Sequence, residues 1–129
     1  MKALSIRQPW PWLIIAGHKD IENRSWRTNY RGPLLVHAAR ACDASSFGQI
    51  EKRHDVRILA HDLQRGGIIG LVDLIDVVTQ HRSRWFTGEG FGWVLANPRP
   101  VRFVEMPGRL GLFEVGRTPR ACRLVGNPG

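Results

Sequence analysis

Gly17-His-Lys-Asp-Ile-Glu-Asn-Arg-Ser-Trp26 is the stretch from which the rest of the chain can be read. Its glycine closes a short helix, and an extended segment follows almost at once. Side chains on a strand alternate between its two faces. An extended run over residues 21–26 therefore puts Glu22, Arg24 and Trp26 on one face and Ile21, Asn23 and Ser25 on the other. Lys19 lies in the turn just before. The spacing predicts that an ammonium, a carboxylate, a guanidinium and an indole converge. A strand that serves only packing does not set its charges and its aromatic on one side and leave its isoleucine among small polar residues. The stretch reads as the floor of a binding site.

Upstream, residues 2–7 alternate as an opening strand with Leu4 and Ile6 on one face, and Gln8-Pro9 ends it. Pro9 and Pro11 suit a helix's first turn, where the missing N–H groups have no intrahelical partner. Trp10, Leu13 and Ile14 fall at i, i+3 and i+4 on one face, and Gly17 stops the helix as a left-handed cap. Trp12 lies off that stripe.

Downstream, residues 27–33 form a loop that carries Arg27, Arg31 and the single tyrosine, Tyr30. Residues 34–39 read as a buried strand, with Leu34, Val36 and Ala38 on one face and Leu35, His37 and Ala39 on the other. A lone histidine with apolar companions is more often a satisfied core residue than a catalyst, although one lining a pocket can act. Asp43 can cap a helix to about residue 53 with Phe47, Ile50 and His54 turned inward. A second short helix is expected over 56–63, broken by Gly66-Gly67. Residues 68–79 are the most strand-like stretch, rich in β-branched side chains. Asp73 and Asp76 have opposite parity there, which argues against a paired-carboxylate site and leaves one of them to find an arginine. The loop 80–90 interleaves Arg82, Arg84, Trp85 and Phe86, suited either to phosphate contacts with base stacking or to packing back onto the core. Strands follow at 91–95, at 101–105 as a continuation or a new element, and at 110–115. Beyond Gly116 the chain holds three arginines and two prolines, an ordered arm or a basic tail.

A chain of 129 residues is one domain, 1–129, long enough for a single core. The expected class is α+β, a small curled sheet or barrel of about five to six strands flanked by short helices. No apolar run approaches a membrane span or a secretory leader, so a cytoplasmic protein is expected. Cys42 and Cys122 show no metal spacing, and the five histidines form no ligand pair; neither metal nor cofactor is expected. The strongest global signal is charge. Nineteen basic residues against eleven acidic ones give a net +8, and all but Lys2, Lys19 and Lys52 are arginines. Arginine's planar fork suits phosphate contacts and stacking on bases. Nucleic acid is the expected partner.

One joint pattern carries a resemblance. It consists of Leu4-Ser-Ile-Arg-Gln-Pro-Trp10, the Gly17-x-Lys19-x-x-Glu22-x-Arg24 segment, Ser25-Trp26, Tyr30-Arg-Gly-Pro-Leu34 leading to His37-Ala-Ala39, and Gly70-Leu-Val-Asp-Leu-Ile-Asp76. This pattern resembles the ASCH domain family, a branch of the PUA-like fold. The resemblance implies a β-barrel with a cleft, one wall of which is lined by the N-terminal helix and the signature strand. It also implies RNA or DNA binding, and in some members hydrolysis. In small bacterial amidohydrolases that release acetate from N4-acetylcytidine, the signature lysine works with a threonine three residues later and a distant glutamate. The lysine falls here at Lys19, and Glu22 stands in the threonine's place.

Two functions follow as expectations. In the first, Arg7, Lys19, Arg24, Arg27 and Arg31 form a basic rim that holds phosphates, with Gln8, Trp10 and His37 lining the site. Trp26 or Tyr30 stacks a base, and Glu22 accepts from an exocyclic amine. In the second, Lys19 and Glu22 act as acid and base in hydrolysing a nucleic acid or a modified nucleoside. A third and weaker reading is a protein-interaction domain anchored by tryptophans.

Overall fold

The structure is a computed structural model that describes residues 1–116. The expected arm at 117–129, and with it Cys122, lies outside the described residues.

Six strands form one mixed sheet. In chain order they are β1 (Lys2–Gln8), β2 (Ile21–Arg24), β3 (Gly32–Cys42), β4 (Gly67–Val78), β5 (Phe91–Glu105) and β6 (Leu112–Glu114). Their spatial order is β2-β5-β4-β3-β1-β6. β1 and β3 run parallel, and every other pairing is antiparallel. The sheet curls into a barrel-like shape. Arg24, on the edge strand β2, donates from its guanidinium to the Ser5 carbonyl of β1 at 3.1 Å. The α+β class expected from the sequence is the one observed.

Alternation places the core as the sequence predicts. Leu34, Val36 and Ala38 join Leu4, Ile6, Val72 and Trp93 in one cluster, while Leu35 joins Ala3, Ile68, Val101 and Phe113 in another. Helix α1 (Trp10–Ile15) lays Ile14 on the first cluster. Its other side contributes Leu13 to a third cluster with Ile58 and with Ile50 of helix α2 (Phe47–His54).

Three elements differ from expectation, and one alternative left open, whether 101–105 continues the strand before it, resolves as a continuation. β2 ends at Arg24, two residues early, so Trp26 is not on the strand. The helix expected over 56–63 is an irregular segment with one 3-10 turn at Ala60–Asp62. Val56 and Ile58 reach the third cluster two residues apart, an extended spacing, and the Ile58 N–H is taken by the Glu51 carboxylate at 2.8 Å. Residues 91–105 are a single strand through Ala-Asn-Pro-Arg-Pro100. Asn97 sits at φ 53 in a register shift against β4, a bulge that also takes in Pro98, which has no N–H to give to a ladder. The last strand is confined to Leu112–Glu114.

Candidate functional site

Gly17 adopts φ 90 and turns the chain back beneath α1, where the N–H groups of His18 and Lys19 both donate to the Leu13 carbonyl. This turn buries the Lys19 side chain to 4% exposure below Trp10, whose ring centroid lies 5.7 Å from Nζ. Nζ donates to the Ile21 carbonyl and, at 3.1 Å, to Oε1 of Glu22, itself only 7% exposed. The other carboxylate oxygen, Oε2, faces Arg24 Nε at 3.1 Å, an ion-pair distance without hydrogen-bond alignment. The predicted convergence of ammonium, carboxylate and guanidinium is therefore present, as a row in which the buried Lys19 and the partly exposed Arg24 flank one buried carboxylate. Its indole is that of Trp10. Trp26 packs instead against the fully buried Trp93, edge to face at 4.7 Å, and its carbonyl accepts from the Trp93 indole N–H.

Arg24 connects this row to a cleft of about 460 Å³. Its walls carry four arginines, Arg7, Arg24, Arg40 and Arg109, and its lining among the described residues includes no carboxylate. Two irregularities of the sheet build it. Between β1 and β3 the register shifts from Ile6↔Ala38 to Gln8↔Cys42, so Arg7 and Arg40 lie where the pairing is broken. Bulges of this kind re-aim side chains. Between β3 and β4 a second shift falls at Val36/His37.

His37 sits at the foot of the cleft, 1% exposed. Its Nε2 is 2.7 Å from the Met106 carbonyl, which can only accept, so Nε2 carries the proton. In the neutral ring Nδ1 then accepts from the Ser5 hydroxyl at 2.8 Å. Gly108 closes over this pair: a Cβ there would lie 2.5 Å from Ser5 Oγ and 2.8 Å from the imidazole, so only glycine lets the loop 106–111 come so near.

The other anticipated residues lie elsewhere or are otherwise engaged. Gln8 is fully buried; its Oε1 accepts from the Trp12 N–H at 3.1 Å and its amide donates to the Gln64 carbonyl at 2.7 Å, so it pins α1 and the chain before β4. Tyr30 donates its hydroxyl to the Pro33 carbonyl and rests on the first cluster. Arg31 donates to the Thr28 and Tyr30 carbonyls at 2.9 Å and lies 3.8 Å from Asp76. Arg27 borders a separate depression beside Val77, Val78 and Phe91. The expected rim is thus divided, with Arg7 and Arg24 at the cleft, Arg27 and Arg31 outside it, and Lys19 buried beneath Trp10 rather than at a rim. Asp73 finds the arginine partner foreseen for one aspartate, taking Arg99 at 3.2 Å and Asn97 at 2.8 Å, which hold its carboxyl below the usual range. The loop after β4 packs home: Trp85 stacks on His54 at 3.5 Å and 12°. Burial pushes the His54 imidazole below its ordinary value, and the charges of Arg84, Arg53 and Lys19 add to that.

The sequence reading did not single out Arg40, Arg109 or Ser5. Arg40 follows a clean strand pattern and joins the cleft only through the bulge, and Arg109 stands in a Gly108-Arg-Leu-Gly111 turn with no phosphate-loop context.

Comparison with known sequences bears on the same stretch. The ASCH domain profile matches residues 4–105, which span five of the six strands and both helices. The chain belongs to the ASCH domain family. It is 38% identical over 88 residues to human activating signal cointegrator 1, a match covering 63% of this chain and 15% of that protein. The mouse protein of the same name is 33% identical over 84 residues, covering 60% of this chain and 14% of the relative. The chain thus corresponds to about one seventh of those relatives' length. In this ASCH domain the profile takes in the Lys19–Glu22–Arg24 row and three of the cleft arginines. It stops one residue short of the 106–111 wall. Among the described residues no helix is long and apolar enough to cross a membrane.

Proposed function

We propose that this ASCH domain binds nucleic acid, RNA or DNA, in the cleft between β1, β3 and the loop 106–111. The observation that carries the reading is the set of four guanidinium groups, Arg7, Arg24, Arg40 and Arg109, around one concavity with no carboxylate among the described residues that line it. Like charges gather in a folded protein against their mutual repulsion, and a polyanion relieves it. Arginine is the residue suited to forked contacts with phosphate oxygens. The net charge of +8 adds a long-range attraction for the same partner.

Within this reading the signature segment has a positioning role. Lys19 fixes Glu22, Glu22 lies against Arg24, and Arg24 reaches the cleft with its guanidinium tied to the Ser5 carbonyl. Glu22 has a cation at each carboxylate oxygen, so contact with a base edge falls to the cleft's other polar groups.

The test is fluorescence anisotropy with labelled oligonucleotides across a salt series, beside the Arg7→Ala, Arg40→Ala and Arg109→Ala variants. Displaced counterions make log K fall linearly with log salt, and each phosphate contact removed flattens that slope by about 0.7–0.9. The reading expects weaker binding and a flatter slope in every variant, with the strand intact on a gel. Binding that ignores both salt and these arginines would refute it. A strand cut by the wild type but not by Lys19→Ala would replace it with the hydrolase.

A further inference from the structure

We propose, resting on the reading above, that the ligand is a single strand, with one unpaired nucleotide seated in the cleft and the chain leaving across Arg40 toward Arg65. Three observations lead there.

The first is shape. Reading a duplex through its major groove calls for a protruding helix or ribbon that enters a groove roughly 12 Å wide. The arginines here converge on a hollow, whose volume of about 460 Å³ is that of a small-molecule site. A hollow of that size admits one splayed-out nucleotide and excludes a base pair held in a duplex.

The second is continuity. A neighbouring depression of about 450 Å³ shares Arg40 and Gly66 with the cleft and adds Arg65 and Glu105. Arg65 donates to the Arg40 carbonyl at 3.3 Å, which holds the two arginines together along one path. Gly66 is at φ 80, and a Cβ there would come 3.3 Å from the Arg40 side chain, so glycine lets that side chain lie across the junction. A strand laid through both hollows meets Arg109, Arg7 and Arg24 first, then Arg40, then Arg65.

The third is the lip. Pro107, Arg109 and Leu110 border the cleft, and Leu110 is 99% exposed. A leucine this exposed, beside a guanidinium at the mouth of a nucleotide-sized hollow, is placed to cover the face of a base. Unstacked bases take such cover from apolar and guanidinium surfaces.

The experiment compares three fluorescein-labelled probes of one sequence in anisotropy titrations at several NaCl concentrations: an eight-nucleotide single-stranded RNA, the same sequence as DNA, and its blunt duplex. Wild type is set beside Arg65→Ala and Leu110→Ser, both at exposed positions, with folding checked by thermal melting. Single strands are expected to bind at least tenfold more tightly than the duplex. Arg65→Ala should flatten the single-strand salt slope by about 0.7. Leu110→Ser should weaken single-strand binding several-fold at unchanged slope. Duplex affinity equal to or above that of the single strands, with the cleft arginines still required, overturns the single-strand proposal and leaves the proposed function standing. An unchanged slope in Arg65→Ala overturns the path. Binding of none of the probes at low salt overturns both.

Discussion

Glu22 carries more consequence than its size suggests. It is buried between two cations, and each of its oxygens faces one of them. Removing one partner of a buried ion pair leaves the other charge uncompensated, commonly at a cost of about 3–5 kcal/mol. Glu22→Gln leaves Lys19 buried without a counter-charge, facing a carbonyl, a neutral amide and the Trp10 ring. A loss of about 3 kcal/mol in urea unfolding at neutral pH is expected. Lys19→Met should cost less, because Glu22 keeps Arg24. Equal losses for the two variants, or a Gln variant within about 0.5 kcal/mol of wild type, the usual effect of a surface change, would show that the row is not the buried brace described here. At this scale the sequence was legible in part. Strand alternation gives Glu22 and Arg24 one face, and the turn at Gly17 delivers Lys19 to them. It could not give the identity of the indole. Trp10 reaches Lys19 only because the chain doubles back under α1, a tertiary path that no local periodicity encodes.

Elements were most legible where their pattern was strict. β3 follows from a short run that reads as buried on both faces, β4 from its wealth of β-branched residues, and α1 from the 3–4 spacing between two prolines and Gly17. They were least legible where two elements share a backbone contact. Gly67 opens β4, and a Cβ there would lie 2.4 Å from the Val104 carbonyl oxygen and 2.6 Å from the Phe103 ring. The carbonyl belongs to the neighbouring strand and cannot swing away, so Gly67→Ala is expected to cost about 1–3 kcal/mol through overpacking. Gly48, in α2, has nothing within 4 Å of its would-be Cβ. Gly48→Ala should raise stability by about 0.5 kcal/mol, because alanine loses less backbone freedom than glycine in the helix's first turn. Melting temperatures that move in opposite directions for the two variants confirm the contrast; a neutral Gly67→Ala contradicts the close β4–β5 approach. Sequence alone reads Gly66-Gly67 as a helix break. The pair is instead the place where β4 passes close to β5 and where Arg40 is admitted to the cleft.

At the scale of the whole molecule, strand order and edge closure decide the site. β1 lies between β3 and β6, far from β2 in the sheet, yet curling brings Arg24 to Ser5. A linear reading therefore gathers Arg7, Arg24, Arg27 and Arg31 into one rim, whereas the curled sheet separates them and recruits Arg40 and Arg109. The basic character of the site was visible in composition; its membership was set by two register shifts and by a loop 69 residues on from His37 in the chain. We propose that the cleft, rather than the chain's general positive charge, is what nucleic acid contacts. The most direct test is to titrate an eight-nucleotide single-stranded RNA into isotope-labelled protein and follow the backbone amide resonances. The largest shifts are expected at Ser5, Arg7, Ala39, Arg40, Gly66 and across residues 108–111. Shifts spread evenly over the basic surface, or centred on Arg27, Arg31 and Arg82, would contradict it.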